Sequence, residues 1–167
     1  LVYRARGDND RAISDFSTAA RLDPTYALAF SNRGNAYYDK REYDRAIADL
    51  NQAIKINPGY VRAYYDRGIA YGAKGDPDRA IADFDHAINL DPNSAIAFNN
   101  RGLAYRNKGD TDHAIADFNE AIKRNGGYAV AFYNRANAFF DKHNYDGAIS
   151  DFNEAIKLNP KDSYAYH

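Results

Sequence analysis

The chain has 167 residues, with 22 basic and 23 acidic side chains and a formal net charge of −1, so it lacks the basic excess that neutralises nucleic-acid phosphates. It contains no cysteine, which excludes disulfides and thiolate chemistry. It has neither an apolar run long enough to span a bilayer nor a charged, apolar, small-residue signal at its start.

Residues 1–6 read as the tail of a helix, and residues 10–22 as a second helix. Residues 27–37 and Tyr43–Ile56 carry apolar side chains at helical spacing with no period-two alternation. The polar hinge 39–42 separates them, so they form helix A and helix B of an αα-hairpin. The same pair then returns at a stride of 34 residues. Its clearest mark is Asp-Phe-x-x-Ala-Ile, beginning at Asp83, Asp117 and Asp151, with variants at Asp49 and Asp15. A fixed period of this length means an array of one supersecondary unit. The phase gives a single array: a partial repeat over 1–26, full repeats over 27–60, 61–94, 95–128 and 129–162, and the opening of a further helix at 163–167. Methionine is absent and the first residue is Leu1, so we expect a piece of a longer array. Its apolar ends are expected to stack head to tail between copies, since terminal repeats ordinarily present a polar outer face.

Boundary residues recur with the same period. Asp10, Asp44, Asp78, Asp112 and Asp146 stand where an aspartate can cap helix B and complement its dipole. Pro77 fits the first turn of its helix B, and Pro24, Pro58, Pro92 and Pro160 end helix B at one phase. Residues 124–127 depart from this: Arg124 replaces the usual Leu or Ile, and two glycines replace the proline. The expectation is a left-handed glycine cap or a hinge, and in both cases the most deformable link. Small residues let the helices approach: Gly34, Gly68, Gly102 and Ala136 in helix A, and two alanine rows in helix B that begin at Ala12 and Ala19. Bulky residues such as Phe98, Leu50, Phe84 and Phe118 fill the rest, each worth roughly 1.5–3 kcal/mol when buried.

This pattern closely resembles the tetratricopeptide repeat family. The residues that carry the resemblance are Phe98, Gly102, Tyr105, Ala114, Phe118 and Ala121, with the family's proline in the other copies. It implies an all-α, right-handed superhelical solenoid of antiparallel helix pairs whose A helices line a concave, peptide-binding face. The chain departs from the family at Arg33, Arg67, Arg101 and Arg135, where an apolar residue is common. Asp15, Asp49, Asp83, Asp117 and Asp151 recur in helix B as partners. A structural Arg–Asp ladder is expected, with anion capture as the alternative. Pairing within or between repeats stays open at this stage.

No catalytic constellation, metal-ligand spacing or phosphate loop occurs. The four histidines fall at unrelated phases, so we expect no enzyme activity and no cofactor. The groove-facing phases nominate Asn32, Asn35, Tyr65, Asp66, Ile69, Asn99, Asn100, Leu103, Tyr133, Asn134 and Asn137. The row Asn32, Asp66, Asn100 and Asn134 is suited to a peptide backbone, because an amide both donates and accepts; Asp66 would favour a cationic group. The family's two-carboxylate clamp lacks its Lys and Arg here, since Asp66, Ile96 and Asn100 follow Ser31 and Asn35 in that register. The expected partner is a protein or peptide, with no nucleic acid and no membrane. The alternatives are a self-assembling spacer, the regulatory arm of a larger enzyme and an RNA-binding array.

Overall fold

The computed structural model describes residues 8–160. Among them are nine helices: α1 Asn9–Leu22, α2 Ala27–Asp39, α3 Tyr43–Ile56, α4 Val61–Ala73, α5 Pro77–Leu90, α6 Ala95–Lys108, α7 Thr111–Arg124, α8 Ala129–Asp141 and α9 Tyr145–Leu158. No strand occurs among the described residues. The expected helices over 1–6 and 163–167 lie outside the described residues. The chain divides into two compact units, residues 1–90 and 91–167. The first therefore holds α1–α5 and the second α6–α9.

In each unit a core forms where a helix pair meets the A helix of the following pair. In the first unit, Leu50 and Ala53 of α3 and Ala63 of α4 are fully buried, with Ala27 and Phe30 of α2 packed on them. In the second unit, Ala114 and Phe118 of α7 and Ala138 of α8 play this part, with Leu103 and Tyr105 of α6. The small residues set the interhelix distance. A Cβ built on Gly102 would lie 2.7 Å from Cε1 of Phe118, and one on Gly68 would lie 2.8 Å from the same atom of Phe84. In the last pair the order is relaxed: Ala136 is fully buried and Phe152 only half-buried.

The helix ends correct one expectation. Asp10, Asp44, Asp78, Asp112 and Asp146 lie within the first turn of helix B and do not cap it. A capping side chain must sit before the first helical residue to reach back to the orphan N–H groups. That place belongs to Asp8, Asp110 and Asn144, which accept from the N–H of Arg11, His113 and Gly147, and to Asp76, which accepts from Arg79. The first-turn aspartates keep a favourable position on the dipole. They also receive lysines from the C-terminal end of the following A helix: Lys40 reaches Asp10 at 2.5 Å, and Lys74 and Lys142 reach Asp44 and Asp112 in the same way.

The A–B hairpins close through a left-handed residue at one phase: Arg41, Gly75, Gly109 and His143 have φ of 62°, 82°, 89° and 60°. Glycine adopts this conformation freely, whereas Arg41 and His143 hold it at a cost of roughly 1–2 kcal/mol each.

The left-handed glycine cap expected at 124–127 is also corrected. Neither glycine there takes a positive φ. Asn125 has φ −140° and ψ 92°, close to the −131° and 93° of Asn57 before Pro58. The bonds match as well: Gly127 and Gly59 each donate to the preceding Asn Oδ1 at 3.0 Å. The side-chain bond of the Asx turn imposes the conformation that proline imposes elsewhere. Arg124 stays useful in its apolar phase, for its guanidinium lies 3.8 Å from the centroid of Phe98 and donates to the Pro92 carbonyl at 2.6 Å.

Candidate functional site

The arginines that depart from the family pattern turn out to be structural. Each forms a two-pronged pair with the aspartate of its own repeat, Arg33–Asp49, Arg67–Asp83, Arg101–Asp117 and Arg135–Asp151, at 2.5–2.8 Å. The third nitrogen reaches the preceding helix B: Arg33 to Ser17, Arg67 to Asn51 and Arg135 to Asn119. The pairs therefore lie within repeats, and the guanidinium groups of Arg33, Arg67 and Arg135 also bridge to the repeat before. The bond to Asp49 pushes the Arg33 guanidinium up from its ordinary value. For Arg67, burial is the largest influence and works against the charge, but the Asp83 bond together with the charge attraction of Asp83, Tyr71 and Tyr64 raises its value. The planar fork is satisfied by protein groups and the arginine side chains are only 18–20% exposed, so anion capture by this row is set aside.

The residues nominated for ligand contact divide into two kinds. Some interlock successive A helices. In the first unit, Asn35 of α2 donates to Asp66 of α4 at 2.7 Å, and Arg62, one turn earlier on α4, donates to the other oxygen of Asp66 at 2.7 Å. In the second unit, Asn134 of α8 donates to Asn99 of α6 at 2.9 Å. Asn35, Asp66, Asn99 and Asn134 are all buried. The buried Asp66 thus meets the exposed Arg62 of its own helix, and that side chain satisfies the cation preference read from the sequence.

The others reach the surface. Asn32, Tyr65 and Ile69 in the first unit are half-buried, as are Asn100, Leu103, Tyr133 and Asn137 in the second. The Tyr65 ring meets Phe84 edge-on at 5.9 Å, and the Tyr133 ring meets Phe152 at 5.6 Å, so both aromatics stand on the core. Asn137 donates to the Tyr133 carbonyl at 2.8 Å.

Two further groove-facing phases bring apolar side chains to the surface. Leu28, Ile96 and Val130 are exposed at one phase, at which the intervening repeat carries Arg62; Phe140 is exposed further along α8. By helical spacing Ile96, Asn100 and Leu103 share one face of α6, and Val130, Tyr133, Asn137 and Phe140 share one face of α8. The charged pair nearby, Arg106–Asp141, joins the same two helices at 2.6 Å. In the sequence the phase of Leu28, Ile96 and Val130 is marked by an apolar residue two places into α2, α6 and α8, on the groove-facing side that the family resemblance implies. Among the described residues no group of three or more His, Cys, Asp or Glu is placed to hold a metal. No helix there is long and apolar enough to cross a membrane.

Comparisons with known proteins agree with this architecture. A TPR repeat model matches residues 1–41 and 34–75, a tetratricopeptide repeat model matches 65–130, and another matches 129–162. No curated protein sequence matches the chain. Among solved structures, MamA is similar at 27% identity and a TM-score of 0.86, over 95% of this chain and 93% of its own. YrrB, described as a TPR protein with an unusual peptide-binding site, is similar at 25% identity and a TM-score of 0.80, over 99% of this chain and 86% of its own. A thermophilic TPR protein of Thermus thermophilus shares the fold at 21% identity and a TM-score of 0.81, over 98% of this chain and 89% of its own.

Proposed function

Because the chain belongs to the tetratricopeptide repeat family, whose models match it from residue 1 to residue 162, we propose that it is a protein-interaction module holding an extended, largely uncharged peptide along its A helices. The observation that carries this reading is the character of the α6 and α8 faces. Ile96, Asn100, Leu103, Val130, Tyr133, Asn137 and Phe140 are exposed or half-buried and uncharged. The neighbouring Arg106 and Asp141 neutralise each other.

Amides serve a peptide backbone without selecting its side chains, while aromatic and aliphatic groups take apolar side chains as anchors. A framework held by the Arg–Asp pairs is already ordered, which lowers the cost of capture. Asn32, Tyr65 and Ile69 offer the same groups in the first unit. The buried Asn35, Asp66, Asn99 and Asn134 act as supports that hold those faces in place. The likeness to YrrB, with its peptide-binding site, points the same way.

A peptide-array screen tests the reading. Neutral peptides with spaced apolar residues are expected to be captured, and capture is expected to fall at least tenfold in a Val130→Lys, Phe140→Lys double variant, roughly 1.4 kcal/mol or more in binding. Undiminished capture by that variant would place the site elsewhere. Exposed Ile149 favours a second reading, end-to-end association of copies: it is 59% exposed, whereas Ile47 and Ile81 at the same phase are 9% exposed. Sedimentation equilibrium of the wild type against Ile149→Glu decides it: a common monomer mass at every concentration would remove it.

A further inference from the structure

We propose that Asn125–Gly126 is a site of spontaneous deamidation, at which the turn joining α7 to α8 is converted to an isoaspartyl linkage. Three asparagines stand at the same phase after helix B: Asn57, Asn125 and Asn159. Each ends its helix with its N–H bonded to the carbonyl four residues before, and Asn57 and Asn125 share an extended conformation. Two of them are followed by proline, whose nitrogen carries no proton and cannot act as a nucleophile. Asn125 alone is followed by glycine, in the only Asn–Gly pair of the sequence. Residues 125–127 are all exposed to water. The hydrogen bonds of the turn are donated by the N–H groups of Asn125, Gly127 and Tyr128, and the Gly126 N–H donates to none of them.

In the reaction, base removes the Gly126 amide proton and the nitrogen attacks Cγ of Asn125. A new N–Cγ bond forms, the Cγ–Nδ2 bond breaks, and Nδ2 leaves with a proton as ammonia. The cyclic imide then adds one water. Opening at Cγ gives aspartate; opening at the main-chain carbonyl gives isoaspartate. The folded turn restrains the first step. At ψ 92° the Gly126 nitrogen is rotated away from the Asn125 side chain, whose Oδ1 is held by the Gly127 N–H. Rotation about the two glycines, which lack the side-chain barrier, is the motion that releases it.

The two products differ in consequence. Aspartate preserves the turn, because Asp23 and Asp91 hold it at their own junctions, accepting from Thr25 at 2.9 Å and from Asn93 at 3.2 Å. Isoaspartate adds a methylene to the main chain and displaces the Gly127 and Tyr128 N–H groups from their acceptors. The linkage between α7 and α8 is thereby loosened at a place where no ligand or enzyme need act.

The test is incubation of the folded full chain at mildly alkaline pH, followed by digestion, mass spectrometry with fragment ions, and enzymatic labelling of isoaspartate. Conversion is expected first at Asn125, ahead of Asn93 in its exposed loop, and faster when the chain is unfolded in urea. Gly126→Pro is expected to abolish it, and Pro58→Gly to create a second site at Asn57. The mass gain separates this reaction from isomerisation at Asp146–Gly147, which leaves mass unchanged. Faster conversion of another asparagine in the folded chain, persistence at position 125 in Gly126→Pro, or no gain at Asn57 in folded Pro58→Gly would each overturn the proposal.

Discussion

The two units join their A helices through one phase of the later helix, by different chemistry and to different positions of the earlier one. In the first, a buried carboxylate, Asp66, is held by Asn35 and Arg62. In the second, the amide of Asn134 meets the amide of Asn99 with no charge involved. Asp66 and Asn134 stand at one phase and are both buried, so each must find partners. An amide is satisfied by another amide. A carboxylate demands a cation, and Arg62 supplies it from a phase that carries Leu28, Ile96 and Val130 in the other repeats. The two exceptions of the repeat over 61–94 are therefore one substitution in physical terms, coupled at i, i+4.

Separating that pair is the strongest way to break the comparison. Arg62→Leu removes a charged donor from the buried Asp66 carboxylate, and a loss of about 1.5–3 kcal/mol is expected. Adding Asp66→Asn converts the first unit to the chemistry of the second and should recover most of it. Urea unfolding midpoints check both, and a double variant no more stable than the single would show the two sites uncoupled.

The next effect concerns packing within the second unit. Gly102→Ala forces a Cβ onto fully buried Phe118 and should cost about 1–3 kcal/mol. Ala136→Gly, at the same phase of the next repeat, should cost only about 1 kcal/mol, its helix-propensity difference. Thermal melting of the two variants compares them directly. Asn134→Ala orphans the buried Asn99 oxygen and should cost about 1–2 kcal/mol. Amide exchange in α6 and α8 would register it, and unchanged protection there would mean that the amide pair contributes nothing.

The smallest expected effect is a gain. Gly126→Pro places proline where Pro24, Pro58, Pro92 and Pro160 stand, after a residue already extended. Restricting the unfolded chain should stabilise by about 0.4–1 kcal/mol. A lowered melting temperature would show that the 124–127 turn differs from its counterparts after all.

Much of the fold was legible before any coordinates. The spacing of Asp83, Asp117 and Asp151, together with the prolines, located the helix pairs to within about two residues. The rows of Ala and Gly marked the closest approaches, because only small residues permit them. The expected caps failed by two residues, since periodicity assigns a phase and cap geometry assigns a rotation within the first turn. Asn134 and Asn100 have the same phase and residue type, yet Asn134 is buried against Asn99 and Asn100 is half-exposed. Which of two equivalent amides is covered depends on the neighbouring helix, and no property of the residue itself encodes that.

Taken alone, the sequence determined the helices, their pairing and the kinds of group each face carries, because a strict period projects equivalent residues onto equivalent positions. The tertiary structure decided the partners: that each arginine binds the aspartate of its own repeat, that Asp66 is consumed by Arg62, and that Asn125 folds as though proline followed it. Such choices turn on distances of a few ångströms between helices, and those distances arise only when the side chains of neighbouring repeats compete for the same space.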